Sequence, residues 1–277
     1  MNSLLFFALM NPVLAQDDLP GVAEECKEVA RQGPPADYDE QAQADFILNY
    51  VAMGTTFSPL HGALGDEPGH GAIGVDLLGL PPLGCEQRLT LSYTKSEDTN
   101  KTPVAPRIRA SFTFPEIAGL RVYSGWAYIP PVTLAGVRNV LLSGELGVGK
   151  ALDSGLGLGA RYHATMFKTI GEVATPFNPD DEAVDDLYLS STFGLDLMAS
   201  YSLEKFEPYL ALGWTDASTF FLIGDDDYIG NNANPYWGPA VSIGSEFDLV
   251  DSVFTAAEVY WAPGAILTGR VRIAYAF

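Results

Sequence analysis

The sequence predicts an all-β protein, a transmembrane antiparallel up-and-down β-barrel of about twelve strands, and three observations lead there. From about residue 71 to the end, segments of roughly 9 to 15 residues alternate apolar with small or polar side chains, the period of strands with two unlike faces. The chain is 47% hydrophobic, 12% aromatic and only 18% charged, and 28 glycines and 19 prolines punctuate it, as short segments separated by turns require. After the first 15 residues no apolar run approaches the ~20 residues of a transmembrane helix, so any membrane crossing has to be made by strands.

Residues 1–15 read as a secretory signal peptide. Leu4 to Met10 form an apolar core, Asn11-Pro12 breaks it, and Val13-Leu14-Ala15 places small or apolar residues before a cut at Gln16, although a positively charged start is missing. Residues 16–45 follow as a periplasmic or plug segment, and residues 46–277 are assigned to the barrel. The first barrel element has two readings. It is either a strand over 46–60 or, from Tyr38 to Thr55, an amphipathic helix with Phe46, Ile47, Tyr50, Val51 and Gly54 on one face. The helical reading makes the N-terminal region a plug or periplasmic helix and lowers the barrel to ten strands.

The remaining strands are expected at 71–80, 85–95, 104–115, 119–130, 133–150, 155–168, 186–203, 205–222, 235–248, 251–262 and 265–277. The last is the clearest: odd positions from Leu267 to Phe277 are Leu, Gly, Val, Ile, Tyr and Phe, and the even ones are Thr, Arg, Arg, Ala and Ala. The same phase turns Ile108, Phe112, Leu142, Leu146, Phe193, Leu195 and Leu197 outward, against Arg109, Ser143, Glu145, Thr192 and Asp196. Thirteen charged residues then share the inner faces: Arg88, Arg107, Arg109, Arg121, Arg161, Arg270 and Arg272 against Asp76, Glu86, Glu145, Asp196, Glu246 and Glu258. Near-cancellation of sign and the preference for Arg over Lys suit ion pairs across a confined lumen. Tyr93, Trp126, Tyr128, Trp214, Trp237, Trp261 and Tyr275 fall near strand ends or on the apolar phase, as interfacial girdles do.

With Val271, Ile273, Tyr275 and Phe277 alternating to a C-terminal Phe, the sequence resembles bacterial outer-membrane β-barrels. That resemblance implies outer-membrane lipids and the barrel-assembly machinery, which reads the last strand, as partners. It also implies a periplasmic C-terminus, short periplasmic turns and long outer loops. Cys26 and Cys85 then lie on one oxidising side, Cys85 in a periplasmic turn, as candidates for a disulfide that ties the N-terminal segment to the barrel base.

Little catalytic chemistry is visible. The run from Gly155 to Gly159 lies in a strand and its turn, so it is no phosphate loop. The three histidines, His61, His70 and His163, stand apart, and no His-x-Ser pattern accompanies them. No cofactor is implied. Asp180, Asp181, Asp225 and Asp227 cluster in outer loops and offer oxygen ligands for divalent cations, without the spacing of a calcium loop. The net charge of −20 argues against nucleic acid as a partner.

Function is read as a passive channel or transporter for small solutes in the bacterial outer membrane. The expected lumen residues are Arg107, Arg109, Glu145, Arg161, His163, Asp196, Glu246, Glu258, Arg270 and Arg272. The alternatives are a structural or plugged barrel without transport and a transporter of hydrophobic compounds. The second rests on a layout similar to the long-chain fatty-acid transporters of the FadL type, against which the charged lumen argues. An enzymatic role is not expected.

Overall fold

Period-two alternation is carried through ten strands that close on themselves. The computed structural model describes residues 19, 22–90, 93, 95–97, 100, 103–134, 137–171, 174–176, 185–223 and 228–277. The expected signal peptide over 1–15 and the acidic candidates Asp180, Asp181, Asp225 and Asp227 lie outside them.

The wall consists of β1 (Gly71–Gly79), β2 (Val104–Thr113), β3 (Arg121–Leu134), β4 (Val137–Ala151), β5 (Leu156–Gly171), β6 (Asp186–Tyr201), β7 (Phe206–Ile223), β8 (Trp237–Val250), β9 (Val253–Ala262) and β10 (Ile266–Ala276). Each strand pairs antiparallel with its neighbours in sequence, and β10 returns to β1 with Val75 opposite Ile273. Closure leaves no sheet edge within the wall, which a hydrocarbon environment demands because no water is there to satisfy free N–H and C=O groups. A short strand, Tyr228–Asn231, folds back on the end of β7.

The two ends of the barrel differ. Connections at 114–120, 152–155, 202–205 and 251–252 are short and share one end with Phe277. The opposite end carries the long connections 80–103, 172–185 and 224–236, together with the brief links 135–136 and 263–265. These are called the turn end and the loop end.

Two of the twelve expected strands are not in the wall. Residues 46–60 contain most of helix α2 (Glu40–Thr55), which Asp39 starts by accepting from the Ala42 amide at 3.0 Å. The boundary expected at residue 46 therefore falls inside a helix, and the wall begins only at Gly71. Residues 85–95 hold a single helical turn, α3 (Cys85–Arg88), and the start of a three-stranded sheet of Leu89–Thr90, Lys95–Glu97 and Ala174–Pro176. Losing both elements preserves the direction of every later strand.

A cap formed by this sheet, α3 and helix α1 (Lys27–Gln32) sits at the loop end. Leu19, Val22, Cys26, Leu89 and Tyr93 form its small core. The placement corrects three expectations. Cys85 lies on the loop-end connection, not in a turn at the base; Tyr93 is buried in the cap rather than in a girdle; Arg88 and Glu86 belong to α3, not to the lumen.

Candidate functional site

Burial in this barrel is inverted. The five bulkiest fully buried side chains are Arg107, Arg109, Arg161, Arg270 and Arg272, while Leu195, Leu197, Ile243, Leu267 and Ile273 stand outward, each more than half exposed. Trp126, Trp237 and Tyr275 also face outward. Water as the outer solvent would make such a surface a large apolar patch around the whole molecule; hydrocarbon makes it the expected exterior.

The interior is filled by the chain itself. Helix α2 occupies the loop-end half of the lumen, and residues 56–64 continue from it through the middle as an irregular segment, with Leu60 at φ 51° and a turn at 63–64. From Thr55 to Leu64 every residue is buried. Alanines make room for the helix: Ala52 and Met53 pack on Ala217, Ala240, Ala262 and Ala265 beside Tyr260 and Ile266. On the other side Leu48 meets Ile129, Leu141, Phe167 and Tyr188. Asp45 accepts from the amides of Ala233 at 2.8 Å and Asn234 at 3.0 Å, so the helix also holds the connection before β8.

Below the helix lies a belt of charge that grips the plug by its backbone. Arg270 donates to the carbonyls of Met53 at 2.9 Å and Thr56 at 3.0 Å, and Arg107 reaches Thr55 and Thr56 at 3.3 and 3.4 Å. These are carbonyls that a helix leaves unpaired at its C-terminal end, where the macrodipole is also negative, so guanidinium groups satisfy both demands. Arg109 donates to Ser58 O at 3.0 Å and Arg161 to Phe57 O at 2.9 Å. The Phe57 ring lies under both Arg107 and Arg109, 4.8 and 4.1 Å from their guanidinium carbons. Glu258 accepts from the Leu60 amide at 3.2 Å and from Tyr209 at 2.9 Å.

The charges also bind one another around the wall. Arg107 pairs with Asp76 at 2.9 Å, Arg109 with Glu145 at 2.5 Å, and Arg161 with both Glu145 and Asp196 at 2.6 Å. His61, carried by the plug, lies 3.3 Å from Glu145, and His163 is 3.6 Å from Asp196. Register explains the geometry: Asp76 is directly opposite Arg107 on one side and Arg272 on the other, and Arg161 is directly opposite Asp196.

The structure thus brings Arg107, Arg109, Glu145, Arg161, His163, Asp196, Glu258 and Arg270 into one belt. Arg272 sits apart, bonded to Ser111 at 3.0 Å with its guanidinium over Phe254. Glu246 faces Glu207 across the β7–β8 ladder and is only half-buried. Arg121 lies near the turn end, 3.8 Å from Glu116. Ser143 bonds Thr165 at 3.0 Å rather than His163, and Ser191 is on the opposite phase of β6 from the buried Thr192, so neither serine is aligned with the histidine.

The stretch 61–70 does not form a loop at the outer mouth: His61 to Leu64 run inside the barrel, past Gly149 and Gly159, and Gly65 to His70 reach β1 at the turn end. One signal was present: from Phe46 to Gly65 there is no Asp, Glu, Lys or Arg in a chain otherwise rich in carboxylates. Among the described residues no group of His, Cys, Asp and Glu is arranged to hold a metal ion. In the cap, Cys26 and Cys85 form a disulfide with Cα atoms 5.2 Å apart. Burial, with a smaller contribution from Glu86, pushes the nearby Tyr93 phenol above its ordinary range.

A closed antiparallel wall, an apolar exterior and a polar, charged interior define a membrane-embedded β-barrel. No protein-family model matches the sequence. No curated protein matches it either. Solved structures similar in fold include the toluene transporter TodX from Pseudomonas putida, at 10% identity over 81% of this chain and 74% of that one, with a TM-score of 0.36. They also include the translocator domain of the autotransporter NalP from Neisseria meningitidis, at 7% identity, 76% and 89% coverage and a TM-score of 0.40. The outer-membrane protease OmpT from Escherichia coli matches at 10% identity, 76% and 96% coverage and a TM-score of 0.41.

Proposed function

We infer that this chain is a bacterial outer-membrane barrel whose lumen is a gated path for small polar solutes, shut by its own N-terminal plug. One observation carries the reading: residues 55–64 fill the lumen and are held there by side chains of the wall, with no covalent bond between plug and lumen residues. A ten-stranded barrel is only slightly wider than the eight-stranded kind that side chains alone fill, so one segment of chain suffices to close it. The path that such a segment vacates is bordered by guanidinium and carboxylate groups. That border favours polar solutes over hydrophobic compounds. A permanently open channel does not fit an occupied lumen.

Planar-bilayer conductance tests the reading. The wild-type protein is expected to stay closed, and the double variant Arg107→Ala, Arg270→Ala, which frees the carbonyls of residues 53–56, is expected to show opening events once dithiothreitol has reduced the Cys26–Cys85 bond. A second reading, a structural barrel that never conducts, draws on the number of plug carbonyls engaged by buried guanidinium groups. It takes over if the reduced double variant, shown by heat-dependent migration to be folded, is as silent as wild type.

A further inference from the structure

The plug is fastened at both mouths. Its downstream end continues through Gly65 to His70 into β1 at the turn end, where Gly71 and Phe277 exchange backbone hydrogen bonds of 3.0 and 2.8 Å. Its upstream end leads back through α1 to Cys26, and Cys26 is bonded to Cys85 on the connection that follows β1 at the loop end. Residues 26–85 therefore form a covalent ring of sequence separation 59. The ring descends through the lumen and climbs back in the wall as β1.

One anchor is at each mouth, and the nine residues of β1 between them span ~30 Å. However the polar contacts rearrange, a chain joined to opposite mouths must still cross the lumen between them. With the disulfide intact, loosening the arginine grip shifts or unwinds the plug without removing it. With the disulfide open, the only covalent hold on the chain upstream of His70 is at the turn end, and once its polar contacts are loosened it can be drawn out there and leave the lumen clear. The other holds at the loop end are non-covalent. They include the small core of the cap, the Gln43 amide donating to the Gln87 carbonyl at 3.1 Å, the Ala233 amide donating to Asp45 at 2.8 Å, and an ion pair of Arg88 with Glu25 at 3.3 Å that uses a largely exposed carboxylate.

We propose that the Cys26–Cys85 disulfide is a latch that retains the plug inside the barrel at the outer mouth. The proposal deepens the closed-path reading and shares its orientation, with the loop end facing outward. Opening the latch needs an external dithiol: its two S–H groups become one S–S bond as the Cys26–Cys85 bond becomes two S–H groups, a transfer of two electrons and two protons.

The test reads position rather than conductance, so it stands apart from the fate of the conduit. An epitope inserted between Gly33 and Pro34, in the exposed stretch after α1, is followed with antibody on intact cells. A second epitope in the turn at 152–155 reports the opposite end. Wild type and the Arg107→Ala, Arg270→Ala variant are expected to show the first epitope and hide the second until the cells are permeabilised. Adding Cys26→Ser and Cys85→Ser to that variant is expected to drop the surface signal to background while the barrel stays folded in the outer membrane. Should the quadruple variant fail to assemble, dithiothreitol applied to cells already carrying the double arginine variant has to produce the same loss. The latch is overturned if the surface signal survives removal of the disulfide, or if the arginine variant loses it with the disulfide intact. A wild-type first epitope hidden on intact cells overturns the outward placement.

Discussion

Arg270 of β10 caps a helix that belongs to another part of the chain: its Nη2 lies 2.9 Å from the Met53 carbonyl, 217 residues away in sequence. Helix ends in most proteins are closed by the residues that follow them. Here the wall supplies the cap, and helix and wall are thereby registered along the barrel axis. Arg270→Ala removes donors from the carbonyls of Met53, Gly54 and Thr56 in a place that water reaches poorly. The expected loss is about 2–4 kcal/mol of folding stability, and Arg270→Lys, which keeps a charge but loses the fork, should recover part of it. Urea titration of the protein refolded in lipid vesicles measures both; equal stability of Arg270→Ala and wild type would refute the capping role.

Glu145 is the node of the charge belt, with Arg109 at 2.5 Å, Arg161 at 2.6 Å and His61 at 3.3 Å. Glu145→Gln keeps the shape and deletes the charge, so Arg109 retains only the more distant Asp76 at 3.5 Å and Arg161 only Asp196 at 2.6 Å. A loss of about 3–5 kcal/mol is expected for breaking a buried pair in this way. Glu116→Gln is the comparison, because its partner Arg121 is 3.8 Å away at a partly exposed turn and such pairs contribute about 0–1 kcal/mol. The same vesicle titration on both variants checks the contrast, and similar losses for the two would count against a network centred on Glu145.

How much of this was legible depends on what surrounds each residue. Leu267 to Phe277 reads as a barrel strand without ambiguity because lipid lies on one side and the polar lumen on the other, and alternation records that difference residue by residue. The inward phase of Arg107, Arg109, Arg161 and Asp196 was legible for the same reason. Residues 46–60 read either as a strand or as a helix, and the structure takes the helical, ten-strand reading; the ambiguity arises because α2 is enclosed by the wall, so Ile47, Leu48, Tyr50, Ala52 and Met53 are all buried and apolar positions alone do not single out one period. Leu89–Thr90 and Lys95–Glu97 are strands, but of the cap sheet, and local pattern carries no address. The grip itself was invisible. Arg109 and Arg161 hold Ser58 and Phe57 by carbonyl oxygens, which every residue type has.

Glycine opens the way for the lower part of the plug. A Cβ on Gly149 would lie 2.5 Å from the Ala63 carbonyl oxygen, and one on Gly159 would lie 2.6 Å from the same atom. Both obstacles are plug backbone, so the new group cannot be accommodated by a rotamer change. Gly149→Val should therefore push Ala63 off the wall and cost about 1–3 kcal/mol, the usual penalty of overpacking. Gly269→Val on β10 is the control, because nothing lies within 4 Å of its Cβ position. Protease accessibility of the 62–66 stretch in refolded vesicles is expected to rise for the first variant only; no change for Gly149→Val would mean that the plug does not run against β4.

The lipid face gives the last test. Leu197 on β6 is 67% exposed, lies opposite Leu212 of β7, and falls between Tyr201 at the turn end and Leu195, the partner of Trp214. That position lies inside the apolar band, where an arginine costs about 2–4 kcal/mol near the midplane of a membrane barrel. In a barrel surrounded by water the same substitution would be neutral or would improve solubility, because it replaces an exposed leucine by a charge. Leu197→Arg should thus lower the stability of the vesicle-inserted protein by that amount, while Leu203→Arg, in the 202–205 turn beyond the band, should change it little. Stability measured by urea in vesicles discriminates the two environments, and an unchanged or raised midpoint for Leu197→Arg would contradict a hydrocarbon exterior at β6.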